Sequence, residues 1–189
     1  MKWINHQITT GFIVYAATND ALAVAASIAG AVIPDKVEGA PPKESSAYWQ
    51  WRKKHRTLSH YPPLYFLLLA LAQGAIFYLQ NPVAEIILNV ASYILIGALL
   101  HIAEDGICGK VPLFSTKKKH GLKLFKVGSA GEYFWTFLIV AGCVAFSFRE
   151  ILNAEINLTQ IIQNINISEI GEKLKNIFAE LKNLGEFLK

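Results

Sequence analysis

The sequence predicts an all-α fold, a polytopic helical membrane protein, on three observations. The composition is 53% hydrophobic and only 17% charged, with a mean hydropathy of +0.33, too apolar for an ordinary soluble domain of 189 residues. Apolar runs at 11–33, 62–80 and 83–103 have the length, about 20 residues, that a bilayer crossing takes. The Lys and Arg residues behind the net charge of +4 fall in two short segments flanking those runs. That is the distribution of cytoplasmic loops under the positive-inside rule, so membrane lipids are the expected partners and nucleic acid is not.

The first apolar run, Gly11 to Ile33, carries Asn19-Asp20 at its centre. A central Asp costs roughly 2.5–3.5 kcal/mol on insertion scales, whereas Asn-Asp is ordinary turn chemistry. The run therefore reads as two short helices, about His6 to Thr18 and Ala21 to Ile33, folded into a re-entrant hairpin. His6 and Asp35 then emerge on the same side. A polar, basic loop over 34–61 follows, opening with Pro34-Asp35 and holding Trp49-Gln50-Trp51-Arg52-Lys53-Lys54-His55-Arg56. Its tryptophans suit the headgroup level, and Lys43 to Lys54 reads as a short interfacial helix.

Pro62 to Gln80 and Val83 to Ala103, joined by Asn81-Pro82, read as an antiparallel transmembrane pair. The second ends in His101 and Asp105, and Gly106 and Gly109 are expected to break the helix there. Another basic loop carries Lys117-Lys118-Lys119, Lys123 and Lys126. Both basic loops lie on the side shared by His6 and Asp35, which is thereby assigned to the cytoplasm. Tyr133 to Phe148 is apolar but short, about 24 Å as a helix, and spans with help or packs as a buried helix. Asn153 to Ser168 reads as a helix broken near Asn164. From Ile167 to Leu188 the apolar positions Ile167, Ile170, Leu174, Ile177, Leu181, Leu184 and Leu188 alternate spacings of three and four. This seam belongs to an amphipathic helix or a coiled coil, and it predicts a homo-oligomer. The division is thus a membrane-embedded helical domain over 1–150 and a heptad-bearing tail over 151–189. Cys108 and Cys143 form no CxxC pair, and no cleavable signal peptide is visible at the start.

The polar residues call for a reason. His101 and Asp105, four apart, share one helix face and can share a metal; a His donating to a carboxylate one turn away is the plainer reading. His55-Arg56-Thr57-Leu58-Ser59-His60 adds two imidazoles and a guanidinium before a membrane helix, either as site residues or as a cluster binding lipid headgroups. Jointly, His6, Asp35, His60, His101 and Asp105 are nitrogen and oxygen ligands suited to zinc or another first-row divalent ion, in segments whose ends face one side. Arg56 would clamp a phosphate oxygen. Glu132 is a sixth polar contributor, a general base, or a carboxylate favoured by its helix N-terminus.

The ordered set of His6, Pro34-Asp35, His55-Arg56-x-x-Ser59-His60, Gly97-x-x-x-His101-x-x-x-Asp105 and Val111-Pro112-Leu113 resembles the bacterial membrane-bound metal-dependent hydrolases, the YdjM-like inner-membrane proteins. The resemblance covers about 1–148. It implies a metal site surrounded by His6, Asp35, His55, His60, His101 and Asp105, and a helical fold related to zinc-dependent phospholipase C and single-strand nucleases. The family pattern has a second acid and a His after Pro-Asp, where this chain has Lys36-Val37-Glu38-Gly39, a departure that counts against a two-metal site.

The expected function is therefore a metal-dependent hydrolase, zinc being the first candidate ion, in the bacterial inner membrane and acting on a phosphoester of a lipid or lipid-linked substrate. His101, Asp105, His60 and Asp35 bind the ion, His6 completes the set, His55 or Glu132 acts as base and Arg56 holds phosphate. A non-enzymatic scaffold that assembles through its tail is the alternative, and a small transporter using Asp20 is a third.

Overall fold

The computed structural model describes residues 1–164 and Lys175. Its first turn is the one the sequence writes. α1 (Trp3–Thr18) ends at Asn19, whose left-handed φ of 51° reverses the chain, and Asp20 caps α2 (Ala21–Gly30) by accepting from the amides of Leu22 at 2.7 Å and Ala23 at 3.3 Å. Two donors left over at a helix start are thus satisfied by the residue that would be costly inside a span. α2 is shorter than expected, and Pro34-Asp35 does not open a loop: it starts α3 (Ile33–Glu38), Pro34 occupying the first turn where its missing N–H costs nothing.

α4 (Ser45–Lys54) precedes α5 (Pro62–Leu79) and α6 (Pro82–Cys108), the latter capped by Asn81. Gly106 does not break α6, contrary to expectation. The helix runs on to Cys108 because the carbonyls its end leaves unpaired are taken up by the irregular segment just past a returning strand: Leu122 N–H donates to Gly106 O at 2.8 Å and Leu124 N–H to Ile107 O at 3.0 Å. That return is a two-stranded antiparallel hairpin, β1 (Val111–Ser115) with β2 (Lys118–His120), where the sequence suggested only a basic loop. The fold is accordingly mostly helical with one small sheet. α7 runs Ala130–Asn164, and its apolar part Ala130–Glu150 has 21 residues, longer than the Tyr133 to Phe148 stretch suggested.

α6 is the axis of the first unit, packed against α2 on one flank and α5 on the other. The α2 crossing is set by two glycines. A Cβ on Gly30 would overlap the carbonyl of Ile94, and one on Gly97 would overlap that of Ser27, so only backbone hydrogen lets the helices touch. The apolar core is small, Tyr65, Ala98, Ile102 and Val111. Much of what is buried is polar, and the outer faces are apolar: Phe66, Leu67 and Leu71 on α5, Ile86 and Ile87 on α6, Phe134 and Phe137 on α7 are exposed. Among the described residues three helices, Pro62–Leu79, Pro82–Cys108 and Ala130–Glu150, are long and apolar enough to cross a membrane. The chain divides into Met1–Phe146 and Ser147–Lys189; the heptad seam Ile167 to Leu188 lies outside the described residues.

Candidate metal centre

The Gly97 crossing places His101 one turn on, where it meets the end of α2. His101 Nδ1 donates to Ala31 O at 2.6 Å, which leaves Nε2 as the nitrogen with a lone pair. His60, between α4 and α5, is held in the same way: Nδ1 lies 2.9 Å from Ser59 Oγ and 3.3 Å from Glu38 Oε1. The two free Nε2 atoms then face each other at 3.3 Å. Around them lie Asp105 Oδ2, 3.3 Å from His60 Nε2 and 3.4 Å from His101 Nε2, and Asp35 Oδ1, 3.4 and 3.7 Å from the same atoms.

Asp35, His60, His101 and Asp105 are a group that could hold a metal ion, with one ligand atom from each within 4.8 Å of the others. The geometry fits better than that limit requires. Bonds of about 2.0–2.1 Å to a tetrahedral ion set ligand atoms roughly 3.3 Å apart, and the five separations above run from 3.3 to 3.7 Å. The donor set also fits: each imidazole would present Nε2 to an ion once that nitrogen gives up its proton, and Asp105 Oδ2 is fully buried with no hydrogen-bond partner. Arg56 Nη2 stands 2.7 Å from that oxygen, an ion-pair contact lacking the alignment of a hydrogen bond. Carboxylates packed this closely are balanced either by protonated imidazoles together with Arg56 and the Met1 amino group or by a cation between them.

Outside the helices that could span, the electrostatics couple the carboxylates to the imidazoles. Burial alone would raise the Asp35 carboxyl, but hydrogen bonding to His101 and His60 holds it well below the usual range. Glu38 is held low against burial by His55, His60 and Ser59. His60, which burial would push down, is carried up to about 10 by Asp105, Asp35 and Glu38.

The other anticipated residues take different places. His6 is fully buried on α1 and lies against His101 with ring centroids 3.9 Å apart and planes tilted by 30°. Its Nδ1 meets Glu104 Oε2 at 2.5 Å, while Nε2, 3.4 Å from Asp105 Oδ1, has no hydrogen-bond partner. It lies beside the four-atom group rather than in it. The Met1 amino group also reaches Asp105 Oδ1, at 2.6 Å. His55 hydrogen-bonds Glu38 through Nδ1, stacks on Trp51 at 4.4 Å and is partly exposed. It lines a cleft of about 320 Å³ shared with Asp35, Glu38, Trp3 and Trp51. Arg56 sits at a left-handed φ of 55°, its amide 2.5 Å from Glu38 Oε1, a conformation worth about 1 kcal/mol or more of strain. Glu132, buried, accepts from the amides of Lys2 at 2.6 Å and Gly128 at 2.5 Å and from Asn5 Nδ2 at 2.5 Å. These bonds tie the start of α1 to α7.

Two carboxylates escaped the sequence reading. Glu38 braces His55, Ser59, His60 and the Arg56 turn, from the very segment whose departure from the family pattern counted against a second acid. Its spacing of three from Asp35 was the available signal, once that segment is helical. Glu104 joins His6 to Thr9, whose Oγ1 donates at 2.5 Å, across more than ninety residues. Only its oddity as a carboxylate in an apolar run could have marked it. Comparisons with protein families, curated proteins and solved structures find no match to this chain.

Proposed function

We propose that the chain is a polytopic membrane protein of the bacterial inner membrane, similar to the YdjM-like hydrolases, and that it hydrolyses a phosphoester of a lipid or lipid-linked substrate with a divalent ion, zinc first, held by Asp35, His60, His101 and Asp105. The observation that carries this reading is the convergence of four ligand atoms, three from the buried His60, His101 and Asp105 and one from Asp35 at the cleft edge, with five separations of 3.3 to 3.7 Å. When bound, such an ion polarises a phosphoryl oxygen and lowers the pKa of a bound water towards 7.

The chain's own residues supply the rest. Asp35 is the ligand that borders the cleft, so substrate meets the centre from that side. His55, with Nδ1 committed to Glu38, has Nε2 left to take a proton. The Nε–H of Arg56 is buried without an acceptor, and a phosphate oxygen would satisfy it. Lys119 Nζ donates to His55 O at 2.6 Å, which brings the two basic loops together on the side assigned to the cytoplasm.

One observation favours a second reading: four protein donors already complete a tetrahedron, the closed form of structural zinc sites. The chain would then be a scaffold, with the ion for folding and the tail for self-assembly. Purified wild-type protein is expected to carry one equivalent of metal and to cleave a phosphodiester in mixed micelles. The double variant His101→Ala, Asp105→Ala should lose both. Metal-free wild-type protein with full activity would defeat the hydrolase reading, whereas metal binding with no cleavage and assembly lost on deleting 167–188 would establish the scaffold.

A further inference from the structure

On the flank of α6 away from the metal centre, a groove of about 730 Å³ runs between α5, α6 and the β-hairpin. Phe66 and Pro62 form one wall, Leu99 and Ala103 the floor, and Leu122 and His120 the upper rim. Its volume is that of a small-molecule pocket, yet among the described residues His120 is the only titratable side chain lining it. An apolar chain fits there and a polar metabolite does not.

The rim has the opposite character. From Gly106 to Gly131 the chain holds Lys110, Lys117, Lys118, Lys119, Lys123 and Lys126 and no acidic residue. Lys119 turns away to His55 O. The other five are exposed, and among the described residues none forms an ion pair. Lys118 stands two residues from His120 in β2 and so shares its face of the strand. Apolar side chains are interleaved, Phe114, Leu122 and Leu124 all being exposed. A net positive rim with no internal counter-charge, above an apolar trough on helices that face outward with apolar surface, complements one kind of molecule. Basic pockets between membrane helices on the cytoplasmic side take anionic lipid headgroups.

We infer that this groove is a binding site for one anionic phospholipid, its acyl chain lying between α5 and α6 and its phosphate at Lys118, His120 and Lys123. The inference rests on the membrane-spanning reading above but not on the hydrolase reading, because the groove and the metal centre lie on different flanks of α6.

The test uses full-length protein in detergent, titrated with phosphatidylglycerol or phosphatidylcholine of the same chains and read by native mass spectrometry. Wild-type protein is expected to retain one phosphatidylglycerol and to discriminate against phosphatidylcholine. Lys118→Gln with Lys123→Gln should cut phosphatidylglycerol retention about tenfold. Ala103→Trp, which fills the trough, should remove it, with metal content unchanged in both variants. Equal retention of the two lipids by wild type, or loss of retention only when metal is lost, would overturn the inference. So would binding of glycerophosphoglycerol as tight as that of the whole lipid, or a dimer that dissociates on Ala103→Trp, since the trough would then be empty or filled by a second copy.

Discussion

Gly97→Ala adds one methyl group, touches no candidate ligand and should nonetheless weaken metal binding at the proposed centre. A Cβ there would lie 2.8 Å from the Ser27 carbonyl carbon, closer still to its oxygen, and 3.0 Å from Ala31 N, whereas ordinary contact begins at 3.4 Å. Backbone atoms cannot swing aside, so α2 must move off α6 by half an ångström or more. Overpacking of this kind costs about 1–3 kcal/mol. The displacement also carries Ala31 O, which orients His101, and Asp35 just beyond it on α3, while ligand bonds tolerate only about ±0.2 Å. Metal affinity should fall tenfold or more, the scale on which disturbed ligand supports act, read by competition with a chelating dye beside a thermal melt in detergent. Gly74→Ala is the control: nothing lies within 4 Å of its added Cβ. It should stabilise α5 by about 0.5–1 kcal/mol through helix propensity and leave metal binding alone. Opposite signs for the two substitutions are the signature, and Gly97→Ala protein that melts and binds metal like wild type would refute the crossing as the device that sets the site.

Glu38→Gln should weaken metal binding about ten- to a hundredfold by releasing His60 Nδ1, with circular dichroism unchanged; a competition titration checks it. Because the carboxylates raise His60 to about 10, an incoming ion displaces its proton at neutral pH. Affinity should therefore rise with pH up to that value, by about tenfold per unit for each proton released, and a pH-indicator titration should record the release. Asp20→Ala should cost about 1 kcal/mol as a lost helix cap without altering metal content, measured by melting and elemental analysis.

The parts legible in the sequence are those governed by neighbours in the chain. Asn19-Asp20 declares a turn because the same residues that are expensive inside a membrane are good at ending and capping helices. His101 and Asp105 declare a shared face because helical spacing is fixed. What stays hidden depends on partners far away. Gly106 looks like a helix breaker until the segment after His120 returns to pair its carbonyl, and Glu104 looks misplaced until α1 brings His6 against it. Glu38 stays hidden because the polar composition of its segment suggests a loop, which gives it no common face with Asp35, whereas α3 sets the two three residues apart on one helix. The glycines at 30 and 97 carry no chemistry of their own, and their meaning appears only where two helices cross.

The length of α6 has a further consequence. Its 27 residues make about 40 Å of helix, roughly 10 Å more than the hydrocarbon layer is thick. On the membrane-spanning reading, the surplus is the stretch from His101 to Cys108. If the proposed hydrolase reading also holds, the reactive height of the protein coincides with the plane in which phospholipids keep their phosphates, and a lipid would reach the centre by sideways diffusion within its own leaflet. The rate of such an enzyme would depend on the mole fraction of substrate in the membrane and not on its bulk concentration.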